Sequence, residues 1–456
     1  MIGLTQNLRG RAGLVLATAI ILLMNSTGPT TVKPVVRRSV ITAARSIRPG
    51  VAFRPSPPPA VAPTSHPPTT PTRSPGSPVV PLAAAFRPGS LSAWSATLQL
   101  VAPQAANRAE IRRNGRLLDV IATTPGATIS YLDQLLWPGT TYIYDARWLA
   151  AGGSLLSDQG LGVRTSEANG PFPRPYSASS FWNQAIGSSS ATDPNSAAMV
   201  THSLAADAAS ANLANSDAWG IAVAYANRET AVYPVACRLY GCDTPVSFPI
   251  PRYAAPTTGS DHHLTVIDSS SGAELDTWEA SYDPASSSWA AGSRYLTSST
   301  GWGAVCGPGR RCGGAVAAGF AALGGIIRPE EIAQGHIDHA LFLTIPHVRR
   351  DAVACPATGS DGDDPSLAAL PEGAHVQLDP RLSVDAQPWP RWEKVIAHAL
   401  QQYGAYVGDT GDTLAVRAEA TLDRGYDAWA FAGVPSSPSL ATIPWAAFRV
   451  LTIQPC

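Results

Sequence analysis

Three carboxylates in one short segment are candidates for acid/base chemistry. Glu274, Asp276 and Glu279 fall in AELDTWEASY, whose alternation of apolar and polar residues predicts a β-strand. Side chains alternate between the two faces of a regular strand, so Glu274 and Asp276 share one face and Glu279 lies on the other. A bulge at Thr277-Trp278 would bring all three carboxylates onto one face. Without a bulge, the pattern is typical of an ordinary polar strand face.

The spacing resembles the E-x-D-x-x-E strand of the laminarinase-type retaining glycoside hydrolases. The resemblance implies that Glu274 is the nucleophile, Asp276 its supporting carboxylate and Glu279 the acid/base. Retaining hydrolysis needs two carboxyl groups about 5–5.5 Å apart. Trp278 would then offer a ring for stacking against a sugar.

Histidines are the second group of candidate residues. Six of the nine lie between residues 262 and 375, each before or within a predicted strand: His262, His263, His336, His339, His347 and His375. A histidine beside a carboxylate suits general acid/base work near neutral pH, as in a polysaccharide lyase. His263 is one candidate base, and Arg294 and Tyr295 are candidates for binding an acidic sugar. For any single histidine, a hydrogen-bonded structural role is the alternative.

The segment GHIDHALFLTIP places two histidines around an aspartate. Gly335 predicts the end of a short helix, so a strand is expected to start directly after it. Strand alternation puts His336 and Asp338 on one face and His339 on the other, more apolar face. We therefore expect His339 to be buried, and His336 with Asp338 to form a dyad that could line a cleft, rather than a metal site.

Metal and cofactor sites are only weakly indicated. The acidic loop with Asp361, Asp363 and Asp364 offers oxygen ligands for Ca²⁺, but it lacks the spacing of a full calcium loop, which favours a solvated turn. Asp409-Thr410-Gly411-Asp412 is interpreted as a hairpin turn. Neither G-x-S-x-G nor H-E-x-x-H occurs, which counts against serine hydrolases and zincins. No cofactor is expected.

The N-terminal part of the chain predicts export. Residues 1–28 have two arginines followed by a short apolar stretch, as in a signal peptide, with an uncleaved anchor as the alternative. Residues 29–90 are rich in Pro, Ser and Thr and predict a disordered linker. The protein is therefore expected to be secreted or bound at the cell surface, with membrane contact only through that possible anchor.

The cysteines support the same compartment. Six cysteines in an exported chain suggest disulfides, and their spacing favours the pairs Cys237–Cys242, Cys306–Cys312 and Cys355–Cys456.

Residues 91–167 alternate like short strands between turns, and they resemble a fibronectin type III domain. The resemblance rests on Trp94, the RRNGRLL hairpin and the run LLWPGTTYIYDARWL, whose L-x-P-G-T-x-Y motif recurs at that family's tyrosine corner. It implies a β-sandwich that serves as a spacer or accessory module and has no catalytic residues of its own.

Residues 176–456 predict a larger β-rich domain with a few helices, of the β-sandwich or jelly-roll kind, so the whole chain is expected to be mainly β. Helices are predicted after Asp193-Pro194, at PEEIAQG and at WPRWEKVIAHALQQYG. The region resembles a family of secreted bacterial proteins of unassigned function, through SFWN, GSDHHLTVID, IIRPEEIAQGHIDHALFLTIP, LPEGAHVQLDP and ALQQYGAYVGD. That resemblance implies a shared fold and an exported setting, but not a reaction.

These observations predict an extracellular, polysaccharide-active enzyme, a glycoside hydrolase or a lyase, acting as a monomer on a cell-wall or other glycan. The alternative is a non-catalytic carbohydrate-binding or cell-wall-binding protein. A net charge of −1 gives no electrostatic reason to expect nucleic acid as a partner.

Overall fold

Strands dominate the fold, as predicted, and only a few short helices join them. The computed structural model describes residues 86–456, apart from residues 308, 309 and 311. The predicted signal segment and nearly all of the predicted linker lie outside the described residues. The first strand begins at Phe86, ahead of the predicted start of the sandwich at residue 91.

The first part is a two-sheet sandwich. Its strands are β1 (Phe86–Leu91), β2 (Ser95–Val101), β3 (Arg108–Arg113), β4 (Arg116–Ala122), β5 (Thr128–Gln134), β6 (Thr141–Leu149) and β7 (Leu155–Arg164). They form the sheets β1-β2-β5 and β4-β3-β6-β7. In β2, β5 and β6 buried residues alternate with more exposed ones, as expected for strands with one face in the core.

Two local signals of the sandwich have the expected geometry. The β3–β4 turn uses Asn114 and Gly115, both with positive φ (49° and 80°), as a tight hairpin turn requires. At the predicted tyrosine corner the Tyr142 hydroxyl accepts a hydrogen bond from the Trp137 backbone N–H at 2.7 Å.

The larger part contains the remaining strands and all the helices. Its strands are β8 (Asn212–Ala214), β9 (Ile221–Ala226), β10 (Val232–Tyr240), β11 (Val246–Pro249), β12 (Leu264–Asp268), β13 (Ala273–Trp278), β14 (Ser281–Asp283), β15 (Ser288–Ser298), β16 (Leu341–Ile345), β17 (Val348–Val353), β18 (Leu370–Glu372), β19 (His375–Leu378), β20 (Ala405–Thr410), β21 (Ala415–Arg417), β22 (Glu419–Ala420) and β23 (Phe448–Val450). Its α-helices are α1 (Ser196–Val200), which continues as a π-helical turn (Thr201–Ala205), α2 (Pro329–Gln334), α3 (Arg391–Gln402) and α4 (Ala428–Phe431). Short 3₁₀ turns cover Phe181–Asn183, Ala208–Ser210, Thr421–Asp423 and Trp445–Ala447.

Two large sheets organise this part. One has the order β11-β10-β15-β13-β12-β9-β22, with β14 added on β15, and the other has the order β23-β19-β20-β16-β21-β8. Both sheets mix antiparallel pairs with parallel ones, such as β9–β12 and β16–β20. The chain passes from one sheet to the other at Ala418, between β21 and β22. The two sheets are therefore joined directly at this point.

An aromatic cluster contacts both sheets. Trp182 and Phe320 pack with Ile221 and Val223 of one sheet and with Phe342 of the other. A separate apolar cluster on the far side of the second sheet buries α3. Because β16 has buried residues on both faces, its sequence LFLTI is mostly apolar rather than alternating.

The helices follow the predicted local signals. α2 starts at Pro329, and Gly335 ends it in the left-handed conformation with φ of 96°. In α3 the buried residues recur at helical spacing, on the face that packs against the second sheet. The segment after Asp193-Pro194 is helical from Ser196, and its last turn is π-helical.

The three disulfides join the predicted pairs, Cys237–Cys242, Cys306–Cys312 and Cys355–Cys456. The last pair ties the C-terminal residue to the segment after β17. Such bridges suit an oxidising compartment. Among the described helices, none combines the length and the apolarity needed to cross a bilayer.

The sandwich and the larger part belong to one compact unit and share buried polar contacts. Arg113 of β3 donates to the Arg424 carbonyl at 2.7 Å, and the Tyr426 hydroxyl donates to the Leu135 carbonyl at 2.8 Å. The Thr230 hydroxyl donates to the buried Asp119 carboxylate at 2.9 Å. The two parts are therefore held in a defined relative position.

A buried charge network lies behind this interface. The Arg424 guanidinium, completely buried, binds the carboxylates of Glu330 and Glu419. Arg328 also binds Glu419, through the same Oε2 that Arg424 contacts. Burying ions is costly unless each is paired, so removing one partner leaves an uncompensated charge in the interior.

Arg424→Met should therefore destabilise the protein by about 3–5 kcal/mol, because Glu330 would lose its cation and Glu419 one of its two. The measurement is the free energy of unfolding from denaturant titration. The matched control is Arg381→Met, which removes an arginine that is 89% exposed and paired with Asp379. Equal effects of the two substitutions would contradict a special role for the buried network.

Candidate functional site

A cleft of about 1260 Å³ lies where the ends of β20 and β21 meet residues of the other sheet. Aromatic side chains at the cleft are Trp219, Tyr240, Trp278 and Tyr295. Its charged or titratable side chains are Asp261, His263, Asp361, Asp409, Asp412 and Arg417. Small residues from Gly313 to Ala317 form another part of the wall. Rings for stacking and groups for proton transfer thus share one concave surface.

Separate segments supply the central residues. Asp409 lies near the end of β20 and Arg417 ends β21, two strands that each pair with β16. Asp261 and His263 come just before β12 in the other sheet. Asp361 comes from the loop before β18. The site therefore exists only when both sheets are assembled.

Three carboxyl groups converge at the cleft. One carboxylate oxygen from each of Asp361, Glu372 and Asp409 lies within 4.8 Å of the other two. Asp361 is exposed and accepts a hydrogen bond from the Thr410 hydroxyl, whereas Glu372 is completely buried. Neither carboxyl oxygen of Glu372 has a hydrogen-bond partner among the described residues.

The environments of these carboxyl groups set different protonation states. Burial, together with the neighbouring carboxylates Asp361 and Asp409, raises the pKa of Glu372 to about 10. Glu372 is therefore a neutral acid at pH 7. Burial also raises the pKa of Asp409 to about 6, although Arg417 acts in the opposite direction. Carboxyl groups whose pKa values are pushed apart are typical of acid/base pairs.

Arg417 is the cation of the cleft. It forms an ion pair with Asp409, and its Nε donates to the Thr344 hydroxyl at 3.2 Å. Its guanidinium lies 4.5 Å from the centre of the Phe342 ring. These contacts fix the position of the guanidinium and, through the ion pair, that of Asp409.

His263 is a neutral imidazole at this site. Its Nδ1 lies 3.3 Å from the Thr277 carbonyl, which can only accept a hydrogen bond, so Nδ1 carries the proton and Nε2 is left as an acceptor. Burial and then the charge of Arg417 lower the pKa of His263 to about 4. Of the catalytic candidates from the sequence, His263 is the one that lines the cleft.

Glu274 and Asp276 share one face of β13, as predicted, but this face is buried away from the cleft lining. Glu274 accepts hydrogen bonds from the Tyr176 hydroxyl at 3.1 Å and from the Leu323 N–H at 3.3 Å. Asp276 accepts from the Ala322 N–H at 3.0 Å. Burial and then the charge of Asp276 raise the pKa of Glu274 well above its ordinary value. In these positions the two carboxyl groups hold the loop around residue 322.

The bulge at Thr277-Trp278 that would bring all three carboxylates onto one face is absent, because pairing with β15 is continuous from Ala273 to Trp278. Glu279 instead follows the end of the strand with φ of 52°, and its carboxylate lies 3.7 Å from Arg238. It does not join Glu274 and Asp276 on one face.

Two of the three sugar-binding candidates, Trp278 and Tyr295, line the cleft. Arg294 does not, because its side chain is buried and donates to the Thr244 carbonyl at 2.6 Å.

His336 and Asp338 do contact each other, with 3.1 Å between Nδ1 and Oδ2, but His336 is exposed, Asp338 is half-buried, and both lie outside the cleft lining. His339 is buried, as expected, and its Nε2 lies 3.0 Å from Glu331 Oε1. The expected start of the strand at residue 336 is wrong, because β16 begins at Leu341.

The three aspartates proposed for Ca²⁺ separate in the structure. Asp361 lies with Glu372 and Asp409, whereas Asp364 lies with His202 and His347. Asp363 is exposed, and its carbonyl accepts a hydrogen bond from Arg350 at 2.6 Å. The loop contributes carboxylates to two separate side-chain clusters, so its three aspartates cannot bind one Ca²⁺ ion together.

Sequence reasoning missed Asp261, Glu372, Asp409 and Arg417 as site residues. The segments GSDHH and GDTGD do carry visible acidic signals. Glu372 and Arg417 stand in short strands whose sequences give no such signal.

No family model matches the chain, and no curated protein matches it. Among solved structures, the central fibronectin-III array of RIM-binding protein is 18% identical, covering 24% of this chain and 37% of that chain with a TM-score of 0.15. The Yersinia enterocolitica family 28 exopolygalacturonase is 14% identical, covering 45% of this chain and 44% of that chain with a TM-score of 0.17. This chain thus spans less than half the length of either protein, and scores this low identify neither as a relative.

The buried acid Glu372 gives a pH-dependent prediction. Its folded-state pKa of about 10 lies above the ordinary value of 4.5, so between these pH values the folded protein holds a proton that the unfolded chain has released. This contribution to stability is present below pH 4.5 and declines as pH rises. Glu372→Gln removes the titration, so its stability relative to the wild type should rise by about 4 kcal/mol between pH 4.5 and pH 8.

Unfolding free energies measured from pH 4.5 to 9 test this expectation. Glu167→Gln is the control, because the Glu167 side chain is 79% exposed. A difference between wild type and Glu372→Gln that stays constant with pH would rule out a raised pKa for Glu372.

Proposed function

We propose that the protein is a glycan-active hydrolase whose active site is the cleft around Asp361 and Asp409. The observation that carries the proposal is the combination, on one concave surface, of aromatic rings with two carboxyl groups in different environments. Aromatic rings stack on the apolar faces of sugars, and paired carboxyl groups are what glycoside hydrolysis requires.

The carboxyl groups take separate roles in this proposal. Asp409, with a pKa of about 6, protonates the leaving glycosidic oxygen. Asp361, which is exposed to solvent, acts as the nucleophile on the sugar. The approach of their oxygens to within 4.8 Å suits the shorter separation of retaining enzymes. Neutral Glu372 behind them adds no third negative charge, and Arg417 holds Asp409 in place.

A non-catalytic glycan-binding protein is the second candidate. The ion pair between Asp409 and Arg417 favours it, because a carboxylate held by an arginine is less available for proton transfer. The same cleft would then bind sugars through its rings and polar groups without turnover.

The hydrolase proposal is tested by incubating the full chain with a panel of polysaccharides and measuring reducing ends, together with the absorbance of unsaturated products. Asp409→Asn and Asp361→Asn should each lower turnover by about 10²–10⁴-fold. Turnover by the wild type should decline above pH 6, because the acid must be protonated.

Glu274→Gln is the control that separates the cleft from the strand β13. Because Glu274 is buried and its pKa is raised well above the ordinary value, the neutral amide preserves its shape and should keep turnover near the wild-type level. If a folded Glu274→Gln protein lost turnover while Asp409→Asn kept it, the result would place the active site at β13 instead of the cleft. Binding without turnover of any polymer would select the second candidate.

The aromatic side chains that line the cleft give a prediction that holds for both candidate functions. Trp219→Ala should weaken glycan binding by about tenfold, because the Trp219 ring lines the cleft. Phe431→Ala is the matched control, since Phe431 and Trp219 are each 56% exposed but Phe431 lies outside the cleft lining. Binding is measured by affinity electrophoresis or calorimetry, and equal losses would argue against the cleft as the binding surface.

A further inference from the structure

A second cluster of titratable side chains lies outside the cleft. It consists of His202 in the π-helical turn, His347 in the β16–β17 turn and Asp364 in the loop after β17. Each offers one ligand atom that lies within 4.8 Å of the other two. His202 Nε2 lies 2.8 Å from Asp364 Oδ2, and His347 Nδ1 lies 3.5 Å from the same oxygen.

We propose that His202, His347 and Asp364 bind a divalent transition-metal ion of the zinc type. Two imidazoles and one carboxylate are a ligand set suited to zinc and its neighbours. Metal–ligand bonds of 2.0–2.2 Å at tetrahedral angles put the ligand atoms about 3.4 Å apart. The separations of 2.8 and 3.5 Å lie on either side of this value.

The backbone around the three ligands is already fixed by hydrogen bonds. Ser203, next to His202, donates its hydroxyl to the His347 carbonyl at 3.1 Å and accepts from the Leu370 N–H at 3.0 Å. The Asp364 N–H donates to the Val348 carbonyl at 3.0 Å. The site would therefore need little rearrangement to accept an ion.

The two carboxylate oxygens of Asp364 have different partners. Oδ1 accepts from the Ser366 N–H at 2.7 Å, which fixes the orientation of the group. Oδ2 faces the two histidines and is the oxygen available to a metal.

Asp207 supplies an independent observation. Its Oδ2 is buried without a hydrogen-bond partner among the described residues, and it lies 3.9 Å from His347 Nε2. When Nδ1 of a histidine binds a metal, its Nε2–H usually donates to a carboxylate. Asp207 stands where that outer carboxylate is needed.

The surroundings leave room for the ion and for a water molecule. The recess at His202 and His347 is otherwise lined by Ala197, Ala198, Thr201, Ala206 and Ala368. The His347 side chain is 47% exposed, so an ion can enter from solvent. Three protein ligands leave a fourth tetrahedral position for water.

The test uses the full chain, purified without a histidine tag and treated with chelator. Calorimetric titration with Zn²⁺ should give one site, and Co²⁺ should give the visible absorption of tetrahedral coordination. Bound Zn²⁺ should raise the melting temperature, since it joins three segments that unfolding separates.

Asp207→Asn should lower the affinity for Zn²⁺ by about 10–100-fold. His202→Gln and His347→Gln should each lower it further.

His398→Gln is the matched control, because His398 is also 47% exposed and paired with one aspartate, Asp385, in a simple ion pair. It should leave Zn²⁺ binding unchanged. Melting curves recorded without metal establish that each variant is folded.

The proposal is overturned if Zn²⁺ shows no saturable binding, or if binding survives both His202→Gln and His347→Gln. Loss of binding in Asp361→Asn and Asp409→Asn, but not in the histidine variants, would also overturn it by placing the ion in the cleft.

Discussion

Arg424 is the charged group on which the arrangement of the two β-rich parts depends. Its buried guanidinium binds Glu330 of α2 and Glu419 of β22, and its carbonyl accepts a hydrogen bond from Arg113 of the sandwich. Each of these groups is costly to bury alone and acceptable only when paired. The ion pairs therefore fix α2 against β22, because any other position of these two elements would leave charges unpaired, and the hydrogen bond from Arg113 connects the sandwich to them.

The same region determines where the cleft lies. Glu419 follows Arg417 after the single residue Ala418, at which the chain passes from one sheet to the other. The network thus anchors one end of this crossing, while Arg417 holds Asp409 at the other. Buried charges on one side of the crossing thus help to hold the carboxyl groups on its other side at a fixed separation.

Several local features were predictable because neighbouring residues determine them. The Tyr142 corner, the Asn114-Gly115 turn and the helix between Pro329 and Gly335 depend on contacts within a few residues. The disulfide pairs were also predictable, since two of them close short loops and the third takes the remaining cysteines. The parallel strand pairs and the crossing at Ala418 were not, because no local signal encodes which distant strands pair.

By itself, the sequence determined a mainly β chain with a tyrosine-corner sandwich, three disulfides and a surplus of histidines and acids in its C-terminal half. Only the tertiary structure decided which of these residues meet. Glu274 and Asp276 share a strand face, as alternation requires, but that face packs against the aromatic cluster rather than the cleft. Asp361 and Asp409, or His202 and His347, are far apart in the chain and are brought together by strand pairing and loop packing. Periodicity gives the face of a side chain within its own strand, whereas burial and long-range pairing decide whether that face meets solvent, core or another charge.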